Sequence, residues 1–152
     1  MIKVLFVCHG NICRSPMAQS VMQYLVDKRG LSGIFEIDSA ATTTEEIGNG
    51  MYRPVRKKLA SEGIPVADHR ARQISRREGN EWDYIVYMDS ENEWHLSRIL
   101  PRDHTARVCS LLSFAGRDDD VADPWYSGDF DAAFDDILEG CQALLEEILE
   151  EM

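Results

Sequence analysis

Cys8 and Arg14 enclose five residues in Cys8-His9-Gly10-Asn11-Ile12-Cys13-Arg14-Ser15-Pro16, directly after the apolar run Ile2 to Val7. A thiolate is a strong nucleophile, and a guanidinium grips two oxygens of a tetrahedral oxyanion with its planar fork. Gly10 and Asn11 are residue types that tolerate left-handed backbone. The loop can therefore curl with successive N–H groups inward, as an anion-binding nest. A helix beginning near Arg14 adds its positive dipole end. Cys8 would lie at the bottom of that cradle, where donors that bind phosphate also stabilise a thiolate. The chemistry this predicts is nucleophilic phosphoryl transfer through a phosphocysteine that water then hydrolyses. Ser15 can donate a hydrogen bond to the thiolate, and Asn11 can hold the loop in shape.

Other chemistries fit these residues less well. A lone cysteine at a strand end is commonly a buried small hydrophobe. Cys8, His9 and Cys13 as metal ligands would lack a second Cys/His pair at metal spacing, so no metal is expected. The Gly-Lys-Ser/Thr of a Walker loop is missing. Expelling a phenolate or amine leaving group benefits from a positioned general acid, and Asp123-Pro124-Trp125-Tyr126-Ser127-Gly128 offers one. An Asp-Pro pair in an acidic loop is commonly a turn. With a thiolate nucleophile in the same chain, Asp123 becomes the candidate acid, and Trp125 and Tyr126 candidate walls for an aromatic substrate. The run Asp118-Asp119-Asp120 reads as a solvated loop, because adjacent carboxylates lack the spaced ligands of a calcium site.

The elements that must position these groups follow from periodicity. Ile2 to Val7 reads as a buried parallel strand. Met17, Val21, Tyr24 and Leu25 recur at helical spacing. Ile34 to Ile37 is a second strand, and Tyr52 to Glu62 a helix stopped by Gly63 and Pro65. Asp83 to Met88 is a third strand, Ser90 to about Leu100 a helix, and Arg107 to Cys109 a fourth strand. An unbroken apolar stripe from Phe130 to Leu149 closes the chain as a helix. Alternating strands and helices give an α/β fold with a small parallel sheet, whose ligands sit beyond the carboxyl ends of the strands.

The 152 residues, 44% hydrophobic and 28% charged, suit one domain, residues 1–152, that buries a core without staples. Four scattered cysteines are not the density of a secreted disulfide scaffold, and the opening run is too short for a signal peptide, so a cytoplasmic, reducing compartment is expected. Cys109 and Cys141 read as core. The net charge is −11, but residues 115–152 carry −12 of it, with Arg117 their one base. That balance disfavours nucleic acid and anionic membranes as partners. A solvated acidic face is the simplest account of it.

On these residues the chain resembles the low-molecular-weight protein tyrosine phosphatases over essentially its whole length. Besides the first loop and Asp123-Pro124, Ser39-Ala40-Ala41-Thr42 with Ile47-Gly48-Asn49 is similar to the family's second loop. Asp68-His69-Arg70-Ala71-Arg72-Gln73 and Tyr87-Met88-Asp89 are similar to two further segments. The resemblance implies a three-layer fold: a four-stranded parallel sheet flanked by helices, with the phosphate-binding loop after the first strand. It also implies hydrolysis of phosphotyrosine in a protein or peptide without a cofactor, probed readily with small aryl phosphates. By that likeness Cys8 is the nucleophile, Arg14 binds phosphate, and Asp123 is acid and then base. Asn11, Ser15, Ser39 and His69 shape the loop, His69 as a buried, hydrogen-bonded ring. Cys13 stands where relatives place a cysteine that forms a reversible disulfide with the nucleophile; packing as a small residue is the other reading. A monomer is expected.

Three departures from the relatives bear on substrate. The closely spaced extra cysteines of arsenate reductases are missing. Arginine phosphatases typically carry threonine at Ile12; an apolar side chain there suits an aromatic ring better than a guanidinium. Glu45 stands where many relatives place a rim aromatic, and is expected to repel acidic flanking residues and favour a base. His9 replaces a more usual leucine, at a position expected to face outward. An arginine phosphatase and a non-catalytic phosphate-binding or redox-sensing module are the alternative functions. The second has no need of Cys8 and Asp123 together.

Overall fold

In the computed structural model, which describes residues 1–152, the opening apolar run becomes β1 (Ile2–Cys8), an inner strand covered on both faces. It pairs in parallel with β2 (Phe35–Ala41) on one side and β3 (Tyr84–Tyr87) on the other, and β4 (Arg107–Ser110) completes the order β2-β1-β3-β4. Val4 and Phe6 face α1 (Arg14–Lys28) and α5 (Phe130–Glu150) in one apolar cluster. Leu5 and Val7 face a second cluster with Ile85, Leu96 and Leu100, where α3 (Ser90–Ile99) packs. Both faces are covered, which is why β1 shows no polar alternation. α2 (Arg53–Ser61) joins the first face through Val55 and Leu59. The α5 stripe buries Phe134, Ile137, Cys141, Leu144, Leu145 and Ile148, each of the larger ones contributing roughly 1.5–3 kcal/mol.

The chain leaves β1 toward β2 on one side and later returns to β3 on the other. The β1/β3 gap is thus the switch point where a parallel sheet opens a ligand crevice. The loop after Cys8 and the turn at Met88–Asp89 both lie there.

Two expectations need correction. The second strand runs Phe35–Ala41, and Ile34 closes a 3-10 turn, Ser32–Ile34. β2 is an edge strand, so Glu36 and Asp38 interrupt the apolar run without ending the strand. Cys109 is half-buried rather than core, because β4 is the opposite edge. Asp123, the candidate acid, is the N-cap of a short helix, α4 (Pro124–Ser127), through Trp125 N–H (3.1 Å).

Gly140 lets α5 approach closely the 3-10 turn Leu111–Ala115, which leads into the Asp123 loop. A Cβ there would lie 2.5 Å from Leu111 Cγ, in a side chain fully buried. Gly140→Ala gains about 1 kcal/mol of helix propensity but overpacks the contact by about 1–3 kcal/mol. The expected net result is a lower denaturation midpoint. A midpoint equal to or above wild type would show that the turn yields freely.

Candidate active site

The loop between β1 and α1 is built around Asn11. Its backbone is left-handed (φ 60°), and its side chain is fully buried. Nδ2 donates to Ser15 Oγ (2.8 Å) and Ser39 Oγ (3.0 Å), and Oδ1 accepts Arg72 N–H (3.2 Å). Ser39 Oγ donates on to Gln19 Oε1 (2.6 Å). One amide thus fixes the loop to β2, to α1 and to the segment after His69. His69 Nε2 lies 2.6 Å from Asn11 O. A carbonyl only accepts, so Nε2 carries the proton. The ring is half-buried rather than buried, as its outer side faces a separate cleft. Tyr52 N–H holds Ile12 O (2.8 Å). With the loop carbonyls so engaged, none of the backbone N–H groups from His9 to Cys13 donates to another group of the protein.

Cys8 ends β1 almost wholly buried (3% exposed). Ser15 Oγ lies 3.0 Å from its Sγ, and Ser15 N–H points to it at 3.4 Å. Since Ser15 Oγ already accepts from Asn11, its own proton is free to go to the sulfur. Arg14, only 3% exposed, donates to Asp89 Oδ2 (2.8 Å) and Val121 O (3.2 Å), and its Nη2 lies 3.3 Å from Asp123 Oδ2. Burial works against the Arg14 charge, yet Cys8, Asp123 and Asp89 together hold its pKa above the ordinary value. Cys13 is the opposite case. Burial, with Cys8 and Asp123 adding, pushes its thiol far above the ordinary range, so it stays protonated beside the nucleophile candidate. All four cysteines are free thiols.

These groups line one cavity of about 170 Å³: Cys8, His9, Gly10, Ile12, Cys13 and Arg14 from the loop, Asp123, Trp125 and Tyr126 from the late segment. Glu45, Glu46, Asp89 and Glu91 complete it. Trp125 stacks at an angle on Tyr52 (centroids 5.0 Å apart), while Tyr126 is 87% exposed. His9 and Glu45, read separately from the sequence, are one contact. His9 Nε2 donates to Glu45 Oε2 (2.8 Å), and its Nδ1 lies 3.7 Å from Glu91 Oε1. His9 therefore lies across the mouth rather than pointing away from it. Sequence reasoning gave no role to Asp89 or Glu91. A carboxylate just past the carboxyl end of β3, at the switch point, was the available signal for Asp89.

A family model described as low molecular weight phosphotyrosine protein phosphatase matches residues 3–152. The chain belongs to this low molecular weight phosphatase family. It is a cysteine-dependent phosphatase. Among curated relatives, the low molecular weight protein-tyrosine-phosphatase YfkJ of Bacillus subtilis is 40% identical, over 99% of this chain and 98% of that protein. The human low molecular weight phosphotyrosine protein phosphatase is 36% identical, over 94% and 93%. The crystal structure of YfkJ superposes with a TM-score of 0.94 over 99% of this chain and 96% of that one. A Drosophila arginine phosphatase superposes at 0.89, with 34% identity over 97% and 98% of the two chains.

The Asn11 network separates backbone strain from hydrogen bonding in this phosphatase. Asn11→Ala loses side-chain bonds worth about 0.5–1.5 kcal/mol each and leaves a Cβ residue in left-handed backbone. Asn11→Gly loses the same bonds without that strain. Both variants should denature earlier than wild type, Ala by about 1 kcal/mol more than Gly. Equal midpoints would remove strain from the account.

Proposed function

We propose that this phosphatase hydrolyses phosphotyrosine in protein or peptide substrates through a phosphocysteine on Cys8. The observation that carries the reading is Cys8 Sγ under two Ser15 donors, at the base of a loop whose N–H groups are unengaged and whose arginine is buried beside it. Cys8 Sγ attacks phosphorus, forming the S–P bond as the P–O bond to tyrosine breaks. The Asp123 carboxyl passes its proton to the departing phenolate oxygen. Arg14 and the loop N–H groups hold the phosphoryl oxygens throughout. Asp123, now a carboxylate, takes a proton from water as that oxygen attacks phosphorus. The S–P bond breaks, the electron pair returns to Cys8, and inorganic phosphate leaves. Ile12, Trp125 and Tyr126 offer the substrate ring an apolar lining. A nucleophile that must stay reduced fits a cytoplasmic protein, and a site complete within one chain fits a monomer.

The carboxylates of Glu45, Glu46 and Glu91 in the cavity lining support two further statements. They favour a basic residue next to the phosphotyrosine, and they give phosphoarginine, the second reading, an electrostatic partner for its guanidinium. The apolar Ile12 in the same pocket favours the aryl ring.

Phosphate release from a phosphotyrosine and a phosphoarginine peptide, in chelator and reductant, separates the two. The expected result is release chiefly from phosphotyrosine, lost to background in Cys8→Ser and lowered roughly 100- to 10,000-fold in Asp123→Asn. Release chiefly from phosphoarginine would keep the nucleophile and overturn the substrate. Release that survives in Cys8→Ser would overturn both. For the rim, Glu45→Trp should reduce the preference for basic over acidic flanks about 2- to 5-fold, the worth of a part-exposed ion pair. An unchanged ranking would assign the selectivity elsewhere.

A further inference from the structure

Arg117, the one base among the last 38 residues, lies outside the cavity yet is bound by three carboxylates. It donates to Asp119 within its own loop and, from α5, to Asp136 Oδ1 (3.1 Å) and Glu139 Oε1 (2.7 Å). The other Asp136 oxygen, Oδ2, accepts the backbone N–H of Ala122 (3.0 Å), the residue before Asp123. The same peptide unit is held from its other end, where Val121 O accepts from Arg14 (3.2 Å), and in the preceding unit Val121 N–H donates to Met88 O (2.9 Å). The backbone entering Asp123 is thus clamped between the active-site arginine and α5. Asp136 is the α5 jaw, and Arg117 orients its carboxylate.

We infer that Asp136 is a positioning residue for Asp123, setting through Ala122 N–H and Arg117 where the acid's carboxyl meets the leaving oxygen. The inference rests on Asp123 being the general acid. The geometry is specific to a side chain with two acceptor oxygens, because one is spent on the backbone and the other on the guanidinium. Asp136 is mostly shielded, its side chain 18% exposed, whereas Asp119 and Glu139, Arg117's other partners, are about half exposed. The Asp118–Asp120 run is therefore only in part a solvated loop: Asp119 helps hold the arginine that holds Asp136.

A misplaced acid has a kinetic signature that general destabilisation lacks. Phenyl phosphate needs a proton on its leaving oxygen, whereas 4-nitrophenyl phosphate departs readily without one. kcat/KM reports the step in which that bond breaks. Asp136→Ala should lower kcat/KM for phenyl phosphate on the order of 10- to 30-fold, part of the full general-acid effect, and for 4-nitrophenyl phosphate less than about 3-fold. Asp136→Asn keeps one oxygen for Ala122 N–H but gives up the acceptor for Arg117, and should recover only part of the loss. Asp123→Asn, measured beside them, must show the same selectivity more strongly. If it does, and Asp136→Ala loses both substrates equally or neither, the positioning role is overturned. If Asp123→Asn shows no selectivity, the general-acid assignment falls instead, and this inference with it. Should Asp136→Ala fail to fold, Arg117→Gln is the second variant. It should show the same selectivity at smaller amplitude, and equal losses on both substrates would overturn the role equally.

Discussion

A guanidinium nearly excluded from water must be neutralised and hydrogen-bonded where it stands, because an unpaired buried charge costs several kcal/mol. Arg14 meets that constraint with three groups from two separate parts of the chain: Asp89 past β3, and Val121 O with Asp123 in the late segment that leads into α4. The dependence runs both ways. The arginine is held ready for an oxyanion because those groups are in place, and the candidate acid is in the pocket partly because the arginine holds it there. Removing either side leaves a charge without its partner, so the first loop and the last quarter of the chain are coupled through one side chain.

The loop itself is held by neutral hydrogen bonds rather than charge. A tight turn around an anion needs inward N–H groups and therefore outward carbonyls, and each outward carbonyl must find a donor. Tyr52 N–H takes Ile12 O, His69 takes Asn11 O, and Thr43 N–H takes His9 O. These donors come from the segments that follow β2 and α2, which explains how residues remote from phosphate chemistry belong to the site. The left-handed Asn11 supplies the turn and, by its amide, the link to Ser15 and Ser39. Ser15 then serves two masters: it accepts from Asn11 and turns its own proton toward Cys8 Sγ.

Much of this was legible in the sequence, and the limits were physical. The inner strands β1 and β3 announce themselves as apolar runs because both their faces are covered. The edge strand β2 does not, since Glu36 and Asp38 can reach water, and its limits were misplaced. Cys8, Arg14 and Ser15 were readable because their spacing is local, and one strand–loop–helix unit brings them together. Asp123 was ambiguous alone and became a candidate through chemical need. What stayed hidden depends on long-range contacts: Asp89 against Arg14, His9 against Glu45, and Asp136 against Ala122 N–H are separated by 75, 36 and 14 residues. No periodicity encodes those pairings.

The remaining tension is electrostatic. A protein of net charge −11, with Glu45, Glu46, Asp89, Glu91 and Asp123 around its cavity, should repel a phosphate dianion. Distance and pairing resolve much of this. Most of the acidic excess lies on the C-terminal quarter, and whatever part of it stands beyond a Debye length of about 8–10 Å is largely screened. At closer range Arg14 is paired with Asp89 and lies beside Asp123, and Glu45 is hydrogen-bonded by His9. Attraction comes from groups that touch the anion directly, the loop N–H groups and the guanidinium, in a setting where water competes poorly. The rim carboxylates then act on what surrounds the phosphate rather than on the phosphate itself. Acidic neighbours lose more than the dianion does, so the rim discriminates among substrates by repulsion while the cradle beneath it supplies the binding.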